Sequence, residues 1–257
     1  MRTIVISDIH GCYDEFNTML EKVRYRPAED QLLLLGDYVD RGMKSKDVVE
    51  QVIKLHEQAG AVVLKGNHDD MMLKALLEEN ARYQYHWLSN GGSQTLLSYC
   101  SEVITGNIME PEVFQAAKTY ILEHYRHHLD FLQSLPLYHE GEKHIFVHAG
   151  TNPAYPDWKE QPGDDFMWIR DAFYNHPTGL GKTVVFGHTP TFHLHHTGEV
   201  WFSPHGDKIG IDGACAYGHR LLCLEIGNDD EYKTYAVPNA ANEWPEDSPL
   251  EMESTEP

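Results

Sequence analysis

Short aliphatic runs that stop abruptly at a polar group recur along the chain, and in its first third they alternate with segments of helical spacing. Residues 3–7 end at Asp8, 31–35 at Gly36 and Asp37, 61–64 at Gly66, Asn67 and His68, 144–147 at His148, and 183–186 at Gly187 and His188. These runs predict strands, as do residues 208–212, 221–226 and 232–237. Residues 13–25, 45–58 and 69–79 carry Leu, Met, Val and Ile at helical intervals and predict amphipathic helices. Such alternation places the chain in the α/β class, as an α/β sandwich.

Residues 80–140 break this rhythm. An aromatic, glycine-containing stretch (Tyr83, Tyr85, Trp87, Gly91, Gly92) precedes a helical pattern over 111–134, which is expected to be a small helical insertion beside the site. One domain is expected over 1–238, without internal repeats. From 239 to 257 the chain turns to Asn, Glu, Pro, Ser and Thr with no Lys or Arg, the composition of a disordered acidic tail.

The 257 residues hold 20 Lys and Arg against 40 Asp and Glu, a formal charge of −20. A chain this acidic is repelled from a nucleic-acid duplex and from anionic lipid, so a phosphate-bearing substrate implies bound cations. No apolar run approaches the roughly 20 residues that cross a bilayer. Arg2 leads directly into the first strand without a secretory apolar segment, and a cytoplasmic location is expected. Cys12, Cys100, Cys215 and Cys223 form no C-x-x-C pair, which suits reduced thiols rather than a disulfide frame or structural zinc site.

Ligands of open α/β folds gather at the carboxyl ends of strands. Each of the five strand ends named above carries a candidate donor, and together Asp8, His10, Asp37, Asn67, His148 and His188 supply oxygen and imidazole groups suited to Mn²⁺, Fe²⁺ or Zn²⁺. Any one of them alone reads better as a turn or cap residue. The combination, with glycine beside the donor at Gly11, Gly36, Gly66 and Gly187, points instead to metal. Six donors exceed the needs of one tetrahedral ion, and a carboxylate such as Asp37 can bridge two ions about 3.5–4 Å apart, the arrangement of two-metal phosphoesterases.

The segments Asp8-Ile9-His10-Gly11, Gly36-Asp37-Tyr38-Val39-Asp40-Arg41-Gly42, Gly66-Asn67-His68-Asp69, His148-Ala149-Gly150 and Gly187-His188-Thr189-Pro190 resemble the signature of the calcineurin-like metallophosphoesterases. The Asp40-Arg41 pair resembles their phosphoprotein phosphatase branch. Residues 86–92, 167–170 and 211–214 are similar to small bacterial and phage protein phosphatases, and symmetrical diadenosine tetraphosphate hydrolases share most of these motifs. The resemblance implies that Asp8 and His10 bind one metal, Asp37 both, and Asn67, His148 and His188 the other. It also implies His68 as general acid with Asp40 as its partner, and Arg41, Asn67 and Arg170 at the phosphate. Asp69 stands where many members have glutamate, and Ile211-Asp212-Gly213-Ala214 departs from the commoner I-D-T-G.

Two divalent ions, Mn²⁺ first and Fe or Zn as alternatives, would activate a bridging hydroxide for attack on phosphorus. The expected activity is a metal-dependent phosphomonoesterase of the protein serine/threonine phosphatase type acting on a phosphoprotein or phosphopeptide. The alternative is a symmetrical bis(5'-nucleosyl)-tetraphosphatase acting on a dinucleoside polyphosphate, which needs further cationic or stacking contacts that the sequence does not visibly place. For Arg170 the competing reading is an ion pair with Asp165 or Asp171. Trp87, Tyr83 and Tyr85 read as packing of the insertion, His193, His195 and His196 as exposed loop residues, and Cys12 as a small buried hydrophobe.

Overall fold

A computed structural model describes residues 1–228 and 231–240. The strands are β1 (Arg2–Ile6), β2 (Asp30–Leu34), β3 (Val62–Val63), β4 (Tyr138–Glu140), β5 (His144–Val147), β6 (Thr183–Pro190), β7 (Trp201–Phe202), β8 (Lys208–Asp212), β9 (Arg220–Ile226) and β10 (Tyr232–Pro238). The helices are α1 (Tyr13–Lys22), α2 (Ser45–Ala59), α3 (Asn67–Leu77), α4 (Ala81–Trp87), α5 (Ser93–Cys100), α6 (Pro111–His124), α7 (Arg126–Ser134), α8 (Gly163–Trp168) and α9 (Asp171–Tyr174).

Two five-stranded sheets result, ordered β10-β9-β1-β2-β3 and β4-β5-β6-β8-β7. The alternation of side chains along each strand explains their packing. Val5, Leu33, Val185, Leu222 and Leu224 meet between the sheets. Ile4, Ile6, Leu32 and Leu34 face the other way, onto Phe16, Val48, Met72 and Leu96 of the helical layer. Val184 and Phe186 turn outward in the second sheet, onto Phe166 and Phe173 of α8 and α9. The architecture is thus a β-sandwich with helices on both faces. Strands β1, β2 and β3 run parallel, as do β5, β6 and β8, so their donor-bearing ends open on one edge of the sandwich.

The predicted strands are present with ends shifted by at most one residue, apart from β6, which runs on to Pro190. Its register slips between Phe186 and Pro190, a bulge that takes His188 out of the ladder. The helical pattern over 111–134 is divided at Tyr125, whose ring packs edge-on against Tyr99 at 5.1 Å. The aromatic stretch before it is also helical: α4 and α5 are joined by a wide turn at Gly91, where φ is +101°. The short edge strands β4 and β7 were not foreseen; they pair with β5 and β8 and are held by Tyr138 against Trp158 and Phe166 and by Trp201 against Phe186. Of the expected acidic tail, residues 241–257 lie outside the described residues.

Candidate active site

The turns after β1 and β2 form the floor of the site. Asp8, His10, Asp37, Asp40 and Arg41 all adopt left-handed backbone conformations, with φ between +45° and +73°. Such conformations cost free energy outside glycine and persist where neighbours hold them. Here the two turns hold each other, through His10 N–H to Asp37 O (2.9 Å), Gly11 N–H to Tyr38 O (3.0 Å) and Gly42 N–H to His10 O (2.9 Å).

Asp37 stands at the centre. Its Oδ1 accepts the backbone N–H of His68 at the start of α3 (2.9 Å), so Oδ2 is left to face His10 Nε2 at 3.3 Å and His148 Nε2 at 3.5 Å. Both imidazoles have Nδ1 against a backbone carbonyl, Val39 O at 2.7 Å for His10 and Leu35 O at 2.9 Å for His148. With Nδ1–H donating there, the Nε2 lone pairs converge on a carboxylate oxygen, and His148 Nε2 also lies 2.8 Å from Asn67 Oδ1. Lone pairs facing lone pairs need a proton or a metal cation between them. The buried His188 Nε2 has no hydrogen-bond partner, and Asp37, His148 and His188 form one set of converging donors as His10, Asp37 and His68 form another. Asp8 lines the same cleft, its Oδ2 accepting the N–H of His188 at 3.0 Å. A Cβ on Gly66 would lie 2.1 Å from Asp37 Oδ1, and one on Gly187 2.1 Å from Asp8 Oδ2, which is why glycine flanks these donors. The six metal-ligand candidates are therefore brought to one place, and this set of oxygen and imidazole donors would suit divalent metal ions.

The charges agree. Burial and Arg41 push the His10 pKa down, but Asp37 and Asp8 outweigh them and raise it to about 9. In the absence of a cation the carboxylates draw a proton, and a divalent ion would replace it. His188, buried near His148 and Arg170, is held well below the usual histidine range.

His68, on the first turn of α3, donates from Nδ1 to Asp40 Oδ2 at 2.8 Å, and burial lowers its pKa against the pull of Asp37 and Asp40. The other oxygen of Asp40 accepts the indole N–H of Trp87 (2.8 Å) and the hydroxyl of Thr95 (2.7 Å), while the Asp40 N–H donates to Thr95 Oγ1 at 2.8 Å. Trp87 thus packs the insertion edge-on against Phe114, as expected, and also binds Asp40. Sequence reasoning missed Thr95, and nothing in its spacing signals it. Asp69 braces the same region: it accepts the N–H groups of Gly66 (2.9 Å), Asp37 (2.9 Å) and Tyr38 (3.1 Å). Its position three residues after Gly66, as the acidic residue of a helix first turn, was the available signal.

Residues 1–223 match the family described as calcineurin-like phosphoesterases. The chain is a calcineurin-like phosphoesterase. It is a hydrolase of a family that uses divalent metals, and its motifs are those of the phosphoprotein phosphatase branch. The phosphoesterase is 26% identical over 91% of its length to an asymmetrical bis(5'-nucleosyl)-tetraphosphatase, PrpE, of Anoxybacillus flavithermus, 93% of which is covered. It is 26% identical over 72% of its length to serine/threonine-protein phosphatase 2 of Salmonella typhimurium, with 78% of that chain covered. A solved structure described as a candidate diadenosine tetraphosphatase superposes with a TM-score of 0.62 at 23% identity, covering 94% of this phosphoesterase and 95% of that chain.

Around the mouth, Arg41 directs Nη1 to His10 Nε2 (2.6 Å) and lies 4.8 Å above the ring of Tyr217, which is 58% exposed. Arg170 lies across the site, with Nη2 3.4 Å from the carbonyl of His188. Asp165, one of its rival partners, instead accepts from Asn152 Nδ2 at 2.7 Å. Trp168, 39% exposed, stands 6.0 Å from His188 and 6.3 Å from His86, ring centre to ring centre. Of the histidine run, His193 and His196 are exposed and His195 is half-buried, within reach of Glu199 O at 2.8 Å. Among the described residues, no helix is long and apolar enough to cross a membrane.

Proposed function

We propose that this phosphoesterase cleaves phosphate esters and anhydrides at a dinuclear centre held by Asp8, His10, Asp37, Asn67, His148 and His188, and that it prefers dinucleoside polyphosphates. The observation that carries the preference is the rim. Tyr217 beside Arg41 and Trp168 beside His188 are exposed aromatic rings near opposite ends of the donor array. A polyphosphate lying across the array would bring its two nucleosides to these rings, and stacking on aromatic side chains contributes about 1–3 kcal/mol per base. The similarity to a bis(5'-nucleosyl)-tetraphosphatase over nearly the whole chain supports the same reading. It reverses the order of preference expected from sequence, where such contacts were not visible.

The bound ions, Mn²⁺ in the first instance, would neutralise phosphate charge and acidify a water near Asp37. Arg41 and Arg170 would orient non-bridging oxygens by paired N–H donation as charge develops on them. Asp40, accepting from Nδ1–H, would stabilise the imidazolium form of His68, whose Nε2–H would give its proton to the leaving oxygen. A nucleotide leaving group is already a weak base and depends little on that proton, whereas a serine alkoxide depends on it strongly.

Protein phosphatase activity is the second reading, favoured by the Salmonella relative and by a phosphoseryl group needing only the ions and the arginines. Comparing kcat/KM for diadenosine tetraphosphate and a phosphoseryl peptide at equal Mn²⁺ and ionic strength separates the two. A preference for the dinucleotide of more than about tenfold, or about 1.4 kcal/mol in transition-state binding, is expected. A preference for the peptide would replace the first reading by the second.

A further inference from the structure

Behind the candidate active site the fold gathers a second group of donor atoms. Cys12 lies on the turn after His10, Glu15 on α1, and Cys215 in a short turn after β8. Their two sulfurs and a Glu15 carboxylate oxygen lie within 4.8 Å of one another. Both thiols are buried, at 6% and 1% exposure. The side-chain amide of Asn239 faces them, with Nδ2 3.8 Å from Cys12 Sγ and 4.0 Å from Cys215 Sγ while it donates to Cys215 O at 3.0 Å. Glu15 Oε1 accepts the N–H of Ala240 at 2.9 Å.

Sulfur ligands about 2.3 Å from a tetrahedral Zn²⁺ stand about 3.8 Å from each other, so little movement separates these donors from coordination. We propose that Cys12, Glu15 and Cys215 form a cation site for Zn²⁺ or another thiophilic divalent ion, separate from the Asp/His centre, with water as fourth ligand. Binding exchanges two thiol protons for the ion. The Cys12 N–H closes the turn that carries His10 by bonding Ile9 O at 2.9 Å, so the ion ties that turn to the β8–β9 connection. The site does not depend on the reading of the phosphoesterase reaction.

Cobalt(II) titration of the reduced, full-length protein tests it. Thiolate-to-cobalt charge transfer gives an ultraviolet band that oxygen and imidazole ligands do not produce. The band is expected to reach the intensity of one two-thiolate ion per chain, to disappear in Cys12→Ser and Cys215→Ser, and to persist in Cys100→Ser. It should also persist in Asp37→Asn, which separates this site from the fate of the dinuclear centre. X-ray absorption of the zinc-loaded wild-type protein, showing sulfur neighbours at the metal, gives the same answer without any variant. No charge-transfer band, a band indifferent to both serine substitutions, or zinc lacking sulfur neighbours would overturn the proposal.

Discussion

The two sheets bring unlike halves to the site. The turns of the first sheet contribute three carboxylates, Asp8, Asp37 and Asp40, on left-handed backbone held by reciprocal hydrogen bonds. The second sheet contributes His148 and His188, the latter displaced by a bulge in β6 and left with a buried, partnerless Nε2. The electrostatics divide the same way: His10, among the carboxylates, is raised to about 9, whereas His188 is driven down by burial and by its cationic neighbours. The first half carries the negative charge that would attract a cation, and the second offers largely uncharged imidazoles that would complete its coordination.

Removing the shared carboxylate should therefore do more harm than removing an imidazole. In Asp37→Asn, loss of both ions and a fall in kcat of about 10³-fold or more is expected, since the negative charge between two cations is removed. His188→Ala should lose one ion and keep the other. Elemental analysis of the two variants checks both expectations, and equal metal loss from each would break the contrast between the halves.

His68→Asn should slow release of serine by about 10²–10⁴-fold while slowing a nitrophenyl ester much less, because nitrophenolate needs no proton. Equal losses on both substrates would mean that His68 positions metal or phosphate instead. Trp87→Phe keeps most of the buried volume but removes one donor from Asp40. A loss of about tenfold with the same leaving-group dependence is expected, in kcat rather than KM.

At the rim, Tyr217→Ala and Trp168→Ala should each lower kcat/KM for diadenosine tetraphosphate by about tenfold and leave a nitrophenyl ester nearly unaffected. Unchanged dinucleotide kinetics in both variants would remove the observation on which the preferred substrate rests.

The smallest effect concerns stability on the second sheet. Lys208 is buried on β8 and pairs with Asp207 at 2.9 Å. Burial raises the Asp207 pKa, but Lys208, the Thr178 N–H and Ser203 outweigh it and hold the carboxyl at about 2. A depressed folded-state pKa stabilises above the ordinary carboxyl value and is lost as pH falls towards 2. Asp207→Asn should therefore melt a few degrees below wild type at pH 7, corresponding to about 1–2 kcal/mol. That gap should narrow as pH falls from about 4 towards 2. A gap independent of pH over that range would show that packing, not charge, accounts for it.

What the sequence determined by itself was local: short aliphatic runs set the strands, and a donor at each of five strand ends, with glycine beside it at four of them, marked the turns where backbone must pass close to a carboxylate. Asp8, His10, Asp37, Asn67, His148 and His188 were legible for that reason, since parallel strands carry their carboxyl ends to one edge. The tertiary structure alone decided that Asp37 turns Oδ2 to two histidines while α3 occupies Oδ1. It also brought Trp87 and Thr95 from the insertion to Asp40, set Tyr217 and Trp168 at the mouth, and joined Cys12 to Cys215. Those pairings leave no trace in spacing, because they depend on which faces of distant elements the core brings together, and burial of apolar surface rewards that packing without regard to separation along the chain.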